Sequence, residues 1–408
     1  MENERAAAKR KRTRTSKKPH VPHEVVTEIL LRLPTRSLLR FTSVCKAWRA
    51  TILDDPAFDR DLRLHRGDHP CLLIAPQTRL PNHNMKTTWQ SHVVATTGLY
   101  RWQETEGAAA LMQSMDSLPA EAVTRFAHCD GVVLVASDST VRVLNPATRR
   151  VLTLPAWSTS PSSSQPSFGL GRDPWTNAYK VARLWHRTEP NSKSFTGIVY
   201  AYHHVEVFTI GADQHWRRLV HPPHSIMIGQ TATFFKGSLL WIIQPFEPKA
   251  VSGFLHLKLW DETFNIVSWP PCGPWFHNEA CLSELRGELC VTCPDQNLEM
   301  LDMWMCKDVD GADLPRWDKR YTIRWEWARA SLRPLAILGD GVLMCQTSRN
   351  MLCRCNLHTD DKHVEVKDTV RLNDLEYLNP EDGTILDYPC KIKFSFDVVS
   401  YVPSLARI

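Results

Sequence analysis

The chain has 408 residues, of which 43% are hydrophobic and 23% are charged, with a formal net charge of +5. This composition is typical of a soluble globular protein and excludes collagen-like, disulfide-scaffold and wholly disordered chains. The length allows two or three domains.

Positive charge is concentrated at the start of the chain. The first 18 residues carry +6, which leaves about −1 for the rest. Because the body is close to neutral, the sequence argues against a nucleic-acid-binding body. The basic tail indicates a nuclear-import signal or a polyanion contact, and the alternative is a disordered solubilising arm. The residues in question are Lys9, Arg10, Lys11, Arg12, Lys17 and Lys18.

The sequence predicts an intracellular protein, in the nucleus, the cytoplasm or both. No run of about 18 uncharged apolar residues occurs, so we expect no membrane span. Residues 13–20 are polar and basic where a secretory signal would be apolar. The 12 cysteines, about 3% of the chain, are too sparse for a disulfide scaffold and are interpreted as reduced thiols.

Residues 19–66 form a short unit with helical spacing of apolar residues. One predicted helix starts near Pro22 and ends at Pro34, and a second starts with Thr35 or Ser37 as its N-cap. A third turn is predicted over residues 50–53, ending before Pro56. The apolar positions are Val25, Val26, Ile29, Leu30 and Leu33, then Leu38, Leu39, Phe41, Val44, Cys45 and Trp48. So small a unit cannot bury all of this surface, and we expect part of it to require a partner.

From residue 71 onward, short alternating strands are separated by turn residues. One unit recurs: a buried strand after a Gly turn, a strand pair, then a polar turn before a last strand. The polar turns near residues 145, 212, 262, 308 and 359 are 46 to 67 residues apart. This spacing approaches the period of four-stranded propeller blades. The fold class is therefore mainly β with a small α-helical N-terminal unit.

Strands left over in residues 71–103 and 390–403 are expected to pair and close a further blade. The total is then about six blades, and a β-sandwich is the alternative fold. Weak helical candidates within the body are residues 107–115 and 120–127.

No motif in the body predicts catalysis, a cofactor or a metal. Cys290 and Cys293, with Cys281 and His277 upstream, could be zinc ligands, but buried strand thiols are the preferred interpretation. His203 and His204, near Glu206, point to opposite faces of a strand and are interpreted as surface histidines. Gly169 and Gly171, before Asp173 and Pro174, are predicted to form a turn and not a phosphate-binding loop.

The helical unit resembles an F-box over some 40 residues. The matching residues are Pro22, Glu28, Ile29, Leu30, Leu33, Pro34, the run Ser37-Leu38-Leu39-Arg40-Phe41, Val44, Lys46, Trp48, Arg49, Asp55, Pro56 and Phe58. Val21 and Ser43 depart mildly from the usual pattern.

The body is similar to the F-box-associated domains of plant F-box proteins, through looser phrases whose order along the chain matters more than any one of them. These include Val143-Leu144-Asn145-Pro146-Ala147-Thr148-Arg149, Gly169-Leu170-Gly171-Arg172-Asp173-Pro174, Val205-Glu206-Val207-Phe208, Asp302-Met303-Trp304-Met305 and Tyr401-Val402-Pro403-Ser404-Leu405. This likeness implies a propeller-like recognition domain without catalysis.

The resemblance implies a noncatalytic subunit of an SCF-type ubiquitin ligase. Its parts would be a basic tail (1–18), an F-box (19–66) and a substrate-recognition domain (67–408). The F-box would bind a Skp-type adaptor, and through it cullin and RING subunits. Candidate adaptor contacts are Pro22, Ile29, Leu33, Pro34, Leu38, Leu39, Val44 and Trp48, which could instead form the unit's own core. The alternatives are a scaffold acting outside ubiquitination and a nuclear nucleic-acid-binding protein using the tail.

Three tryptophans beside loops are candidates for the surface that binds an unknown protein substrate. They are Trp157, Trp175 and Trp275. Tryptophan is enriched at interface hot spots, although core packing is an alternative for each of the three.

Overall fold

The structure is a computed structural model, and the residues that it describes fall in eighteen ranges. These are 21–67, 71–81, 92–96, 98–103, 107–115, 123–137, 140–157, 166–190, 198–227, 230–244, 251–272, 280–295, 299–310, 314–324, 331–339, 341–357, 363–385 and 393–408. Two compact units divide between Leu62 and Arg63. The basic tail lies outside the described residues.

Four helices occupy the N-terminal region: α1 (His23–Leu31), α2 (Thr35–Phe41), α3 (Lys46–Asp54) and α4 (Pro56–Gly67). Pro22 and Pro34 are the N-caps of α1 and α2, where the missing N–H leaves no helical hydrogen bond unmade. The predicted second helix is divided at Cys45, whose Sγ accepts a hydrogen bond from the Trp48 N–H at 3.4 Å. The third helix ends before Pro56, as the sequence predicted, but Pro56 then starts α4, which the sequence did not predict.

The body is built from antiparallel sheets, which we number as blades in chain order. Blade 2 contains β5 (Val123–Cys129), β6 (Val132–Ser137), β7 (Val141–Asn145) and β8 (Arg150–Thr153). Blade 3 contains β9 (Ser167–Arg172), β10 (Tyr179–Pro190), β11 (Ile198–Thr209) and β12 (Arg217–Arg218). Blade 4 contains β13 (Thr233–Phe235), β14 (Ser238–Ile242), β15 (Gly253–Lys258) and β16 (Phe264–Ser268).

Blades 5 and 6 share one eight-stranded sheet through a parallel pairing of their last strands. Blade 5 contains β17 (Cys281–Leu285), β18 (Glu288–Pro294), β19 (Met300–Cys306) and β20 (Asp318–Arg324). Blade 6 contains β21 (Leu332–Ile337), β22 (Val342–Thr347), β23 (Met351–Asn356) and β24 (His363–Arg371).

Blade 1 combines strands from both ends of the body, as the sequence predicted. It contains β1 (Cys71–Pro81), β2 (His92–Thr96), β3 (Gly98–Trp102) and β4 (Ala108–Ser114), with β25 (Glu376–Leu378) beside β4 and β26 (Lys393–Tyr401) beside β1. Cys71 pairs with Tyr401 and Ile74 with Val398 in the β1–β26 ladder. A short 3₁₀ turn (Leu372–Asp374) precedes β25.

The six blades form a closed ring around their first strands. Contacts run from β5 to β9, β13, β17, β21 and β26, and from β26 back to β5. Each of these inner strands pairs with one strand of its own sheet, so its other edge faces the centre of the ring. This is a six-bladed propeller arrangement, and the predicted fold class is confirmed.

One apolar cluster lies between each adjacent pair of blades, six in all among the described residues. In β6, for example, Val132 and Leu134 pack toward blade 3 whereas Val133 and Val135 pack toward blade 1. Both faces of such a strand are buried, which is why the central strands appear in the sequence as continuous apolar runs.

The recurring turns were predicted correctly. The polar turns at 145, 212, 262 and 308 connect the third and fourth strands of their blades, and that at 359 falls outside the described residues. The Gly turns connect the first and second strands: Asp130-Gly131 and Lys236-Gly237 have positive φ at both positions, as a two-residue type I′ hairpin requires.

Two predictions within the body were wrong. The helical candidate 107–115 contains strand β4, and the described residues of the candidate 120–127 lie in strand β5, because pairing within a sheet overrides the helix propensity of Ala-rich segments. Gly169 and Gly171 lie inside β9 and not in a turn. A Cβ on Gly169 would be 2.8 Å from both Ala232 and Leu239, so glycine here permits close packing of blade 3 on blade 4.

Candidate functional site

The helical unit exposes four apolar side chains, three on or just before α1 and one after α2. Val25 and Ile29 are spaced four residues apart, which places them on one side of α1, and Val21 lies just before its N-cap. Val21, Val25 and Ile29 are 53%, 47% and 53% exposed, and Val44 after α2 is 58% exposed. The other side of α1 contributes Leu30, which is fully buried. We call Val21, Val25, Ile29 and Val44 the apolar row.

The eight predicted adaptor contacts divide by burial. Pro22, Ile29, Pro34 and Val44 are exposed, whereas Leu33, Leu39 and Trp48 are partly buried. Leu38 is fully buried, so it belongs to the core of the helical unit and not to its surface. Sequence reasoning did not include Val21 and Val25 among the contacts, although their spacing to Ile29 was available as a signal.

Local contacts hold the partly buried residues of this unit in place. The rings of Phe41 and Trp48 lie 5.4 Å apart between centroids. An ion pair joins Glu28 to Arg32 at 2.6 Å along α1, although both side chains are exposed and such pairs stabilise a helix only slightly.

The three candidate substrate tryptophans differ in position. Trp175 is 73% exposed, at the turn between β9 and β10. Trp157 is partly buried and covers the guanidinium of Arg183 at 4.1 Å. Trp275 lies outside the described residues. Trp260, which the sequence did not single out, lies 6.0 Å from Trp175 between ring centroids.

A hydrogen-bonded turn fixes the backbone that carries Trp175. Asp173 is buried, and its Oδ1 accepts hydrogen bonds from the N–H groups of Trp175 at 2.9 Å and Thr176 at 3.3 Å. Burial opposes ionisation of this carboxyl, but these hydrogen bonds keep the pKa of Asp173 below its usual value. The carboxylate is therefore charged at neutral pH.

A chain of charges connects this turn to the turn that carries Trp260. Lys180 Nζ lies 3.3 Å from Asp173 Oδ2 and 3.0 Å from Glu262 Oε1. Arg217 donates to Glu262 at 2.7 Å and lowers its pKa. Since Lys180 and Asp173 are buried, this network holds the turns of blades 3 and 4 together beneath the two indoles.

A second charged pair lies inside blade 3. Arg183 Nη1 lies 3.4 Å from Glu206 Oε2, with the guanidinium between the rings of Trp157 and Trp185. Burial lowers the pKa of Arg183 to about 10 and raises that of Glu206. His204 stacks on Trp185 at 5.2 Å between ring centroids and is partly buried.

The cysteines of the Cys290-x-x-Cys293 motif separate in the structure. Cys290 packs between blades 5 and 6, whereas Cys293 packs between blades 4 and 5. Within the described ranges no three His, Cys, Asp or Glu side chains are grouped so as to hold a metal ion, and His277 falls outside those ranges. All the cysteines of the described part are free thiols.

None of the helices in the part of the chain described is both long and apolar enough to cross a membrane.

The fold and surface define a class of protein: a six-bladed β-propeller preceded by a small helical unit with exposed apolar side chains. Family models match both parts. Residues 102–408 match the F-box associated beta propeller domain, and residues 19–59 match the F-box domain. The chain belongs to the F-box associated beta propeller family, whose members are generally noncatalytic adaptor proteins.

Relatives in Arabidopsis thaliana have the F-box in their names. The chain is 24% identical to F-box/kelch-repeat protein At2g43445 over 362 residues, covering 84% of this chain and 78% of that protein. It is 24% identical to F-box protein At3g07870 over 368 residues, covering 81% and 84%. The F-box and the F-box-associated domain together indicate a substrate-adaptor role in SCF complexes.

Proposed function

We propose that this chain is a substrate-recognition subunit of an SCF-type ubiquitin ligase. Its F-box binds a Skp-type adaptor, which links it to cullin and RING subunits, and its propeller binds a protein substrate. The observation that carries the proposal is the apolar row, which stays exposed on the helical unit although Leu30 and Leu38 fill that unit's core.

The apolar row suits a groove on a partner protein. An amphipathic helix that inserts anchors spaced three and four residues apart is a recurrent mode of recognition. Fully burying one Val or Ile side chain stabilises a complex by about 1.5 to 3 kcal/mol, and association costs offset part of this. Four such side chains, each about half exposed to solvent, are sufficient for stable binding to a partner.

Ubiquitin transfer in such a complex depends on proximity. Holding a substrate lysine beside a charged conjugating enzyme raises the effective concentration of the reacting groups. We assign no catalytic residue to this chain, which acts by binding at both of its ends.

Adaptor titration tests the docking proposal. Ile29→Asp combined with Val44→Asp places two charges in the apolar row, and we expect the dissociation constant for a purified Skp-type adaptor to rise about 100-fold or more. Leu64→Asp is the matched control, because Leu64 is 67% exposed and lies outside the F-box match. Leu38 is unsuitable as a test position, since a charge there would unfold the unit.

Equal affinity in the double variant and the control would refute docking through the apolar row. If the adaptor binds but cullin never accompanies the complex in cells, the chain is a scaffold outside ubiquitination. Tight nucleic-acid binding that survives deletion of residues 1–18 would instead favour the nucleic-acid interpretation.

We propose that substrate contacts the propeller at Trp175 and Trp260. Support comes from the exposure of Trp175 and from the charge network that fixes both turns, because a rigid aromatic anchor loses little entropy on binding.

Proximity labelling with a chain lacking residues 19–66 should identify targets. Trp175→Ala should remove most of them, whereas the exposed Leu314→Ala should not. Labelling that does not change in Trp175→Ala contradicts this site.

We propose a location in the nucleus, the cytoplasm or both. The basic segment Lys9 to Lys18 supports import into the nucleus. A fluorescent fusion with and without residues 1–18 tests this, and identical distributions would contradict a role in import.

A further inference from the structure

The inner strands of the ring surround a cavity of about 380 Å³. Five of the six inner strands line it, through residues 126–129, 282–284 and 333–335 among others. Each inner strand has one edge without a neighbouring strand of its own sheet, so its backbone N–H and C=O groups point into this space. A cavity with such walls is polar and suits a hydrogen-bonding ligand.

Cations outnumber anions on the wall of the cavity. The charged side chains are those of Arg63, Lys236 and Arg333 against those of Asp130 and Glu284. Asp130 already forms an ion pair with Arg172 at 3.0 Å, which reduces its effect further. The wall therefore favours a negatively charged occupant.

Arg333 is a cavity cation for which the structure shows no compensating carboxylate among the described residues. It lies at the start of β21, and no carboxylate among the residues that the structure describes forms an ion pair with it. Its titratable neighbours are His128 and Cys281, on which its charge acts. Burial, with help from Arg333, lowers the pKa of His128 to about 4, and burial raises that of Cys281. Both are neutral at pH 7.

We propose that the central cavity binds a small molecule carrying a carboxylate or phosphate group, with Arg333 as its principal cation. The guanidinium supplies a fork of donors that matches either group, and the neutral His128 beside it adds a hydrogen-bonding group without a competing charge. This site is separate from the apolar row and from Trp175, so it does not depend on the proposed ligase function.

The cavity size restricts the ligand. Ligand pockets usually hold about 300 to 1,000 Å³, so this one is at the small end. A folded partner is too large for this volume, whereas a compact anion fits.

Titration calorimetry on the full chain at constant ionic strength tests the site. The probes are inorganic phosphate and succinate, each compared with chloride. We expect saturable binding of at least one probe, and at least about tenfold weaker binding in Arg333→Gln, because a charge-assisted pair is lost. Arg371→Gln is the matched control: it removes the same charge from an exposed position at the end of β24 in the same blade and should leave binding unchanged.

Melting temperatures of both variants without ligand establish that each is folded. The proposal is overturned if neither probe binds the wild-type chain, or if Arg333→Gln and Arg371→Gln bind equally well. It is also overturned if only an acidic peptide such as tetraglutamate binds, since the ligand would then be part of a protein. Whether the F-box variants lose adaptor binding does not affect the interpretation of these anion titrations.

Discussion

Two glycines in β9 illustrate how a single residue decides the spacing of blades. A Cβ on Gly169 would lie 2.8 Å from Leu239 Cδ1, and one on Gly171 would lie 2.6 Å from Leu259 Cδ1. These contacts are shorter than real Cβ contacts, so either blade 3 or the leucines of blade 4 must move when a methyl group is added.

Gly169→Ala should therefore lower the free energy of unfolding by about 1 to 3 kcal/mol, the usual cost of overpacking a core. Urea denaturation monitored by tryptophan fluorescence measures it. Gly107→Ala is the control, because its Cβ would meet nothing within 4 Å. Equal midpoints for the two variants would show that the blade interface is loosely packed.

His128 gives the stability of the chain a specific pH dependence. Its pKa is about 4 in the folded chain and near 6.5 when unfolded, so below pH 6.5 the unfolded chain binds the additional proton. Stability from this group is complete above pH 6.5 and falls as the pH approaches 4, by at most about 1.4 kcal/mol per pH unit. His128→Gln should flatten this part of the urea-midpoint profile in phosphate-free buffer. An unchanged slope would place the acid sensitivity elsewhere.

Residue-level prediction from sequence succeeded where chemistry is local and failed where it depends on packing. Asn145 was placed correctly in a turn, because the Asn-Pro-Ala-Thr phrase favours one. The sequence could not show that Leu38 faces inward while Ile29 faces outward. Both residues lie on broad apolar faces of short helices. The packing of the neighbouring helices decides which part of each apolar face is buried, and the sequence does not show this packing.

Among elements, the turns of blades 3 and 4 are joined by a buried ionic network and not by apolar contact alone. Lys180 connects Asp173 with Glu262, and its side chain is nearly inaccessible to solvent. Removing the lysine leaves the negative charges of Asp173 and Glu262 less well compensated.

Lys180→Met should destabilise the chain by about 3 kcal/mol or more, as breaking a buried ion pair does. Lys319→Met is the comparison: Lys319 pairs with Asp302 at 2.7 Å but is largely accessible, so its loss should cost less than about 1 kcal/mol. Thermal or urea unfolding of the two variants side by side distinguishes them. A smaller effect at Lys180 than at Lys319 would mean that the network contributes little.

Helices and strands could be predicted from the sequence where turn residues marked their ends clearly. The Gly turns of blades 2, 4 and 5 and the polar turns of blades 2 to 5 separated the strands correctly, since their residue types favour turns. Helix α4 was missed because Pro56 both follows one helix and starts another, and proline is compatible with either role. Strand β4 was missed because its alanines favour a helix unless a sheet edge is nearby, which only the folded chain provides.

At the scale of the whole molecule, closure depends on β26. This strand supplies the inner edge of blade 1, and Val398 and Tyr401 are fully buried there. Beyond it, the side chain of Asn145 donates to the carbonyl oxygens of Ser404 at 3.2 Å and Ala406 at 2.9 Å.

A chain ending at residue 392 should lack a cooperative melting transition, because the ring is left open and two interblade clusters lose members. A chain ending at residue 401 keeps β26 and should melt cooperatively at a lower temperature, since only contacts such as those of Asn145 are lost. Calorimetry and limited proteolysis measure both. Cooperative melting of the shorter chain near the intact temperature would contradict closure by β26.

The sequence predicted this closure because unpaired strands at both ends of the body have no other neighbours available. It could not predict the cavity or its charge. Arg333 comes from blade 6 whereas His128 and Asp130 come from blade 2, and their meeting depends on the number of blades and the register of each inner strand.

The pairing of β1 with β26 also sets an order of events during translation. About 320 residues separate the two strands, so at roughly 5 to 20 residues per second the ribosome needs on the order of 15 to 65 s to supply the second after the first. The helices have emerged before either. Throughout that interval the nascent chain contains complete F-box helices and an incomplete propeller. The F-box can therefore bind a partner before the propeller closes.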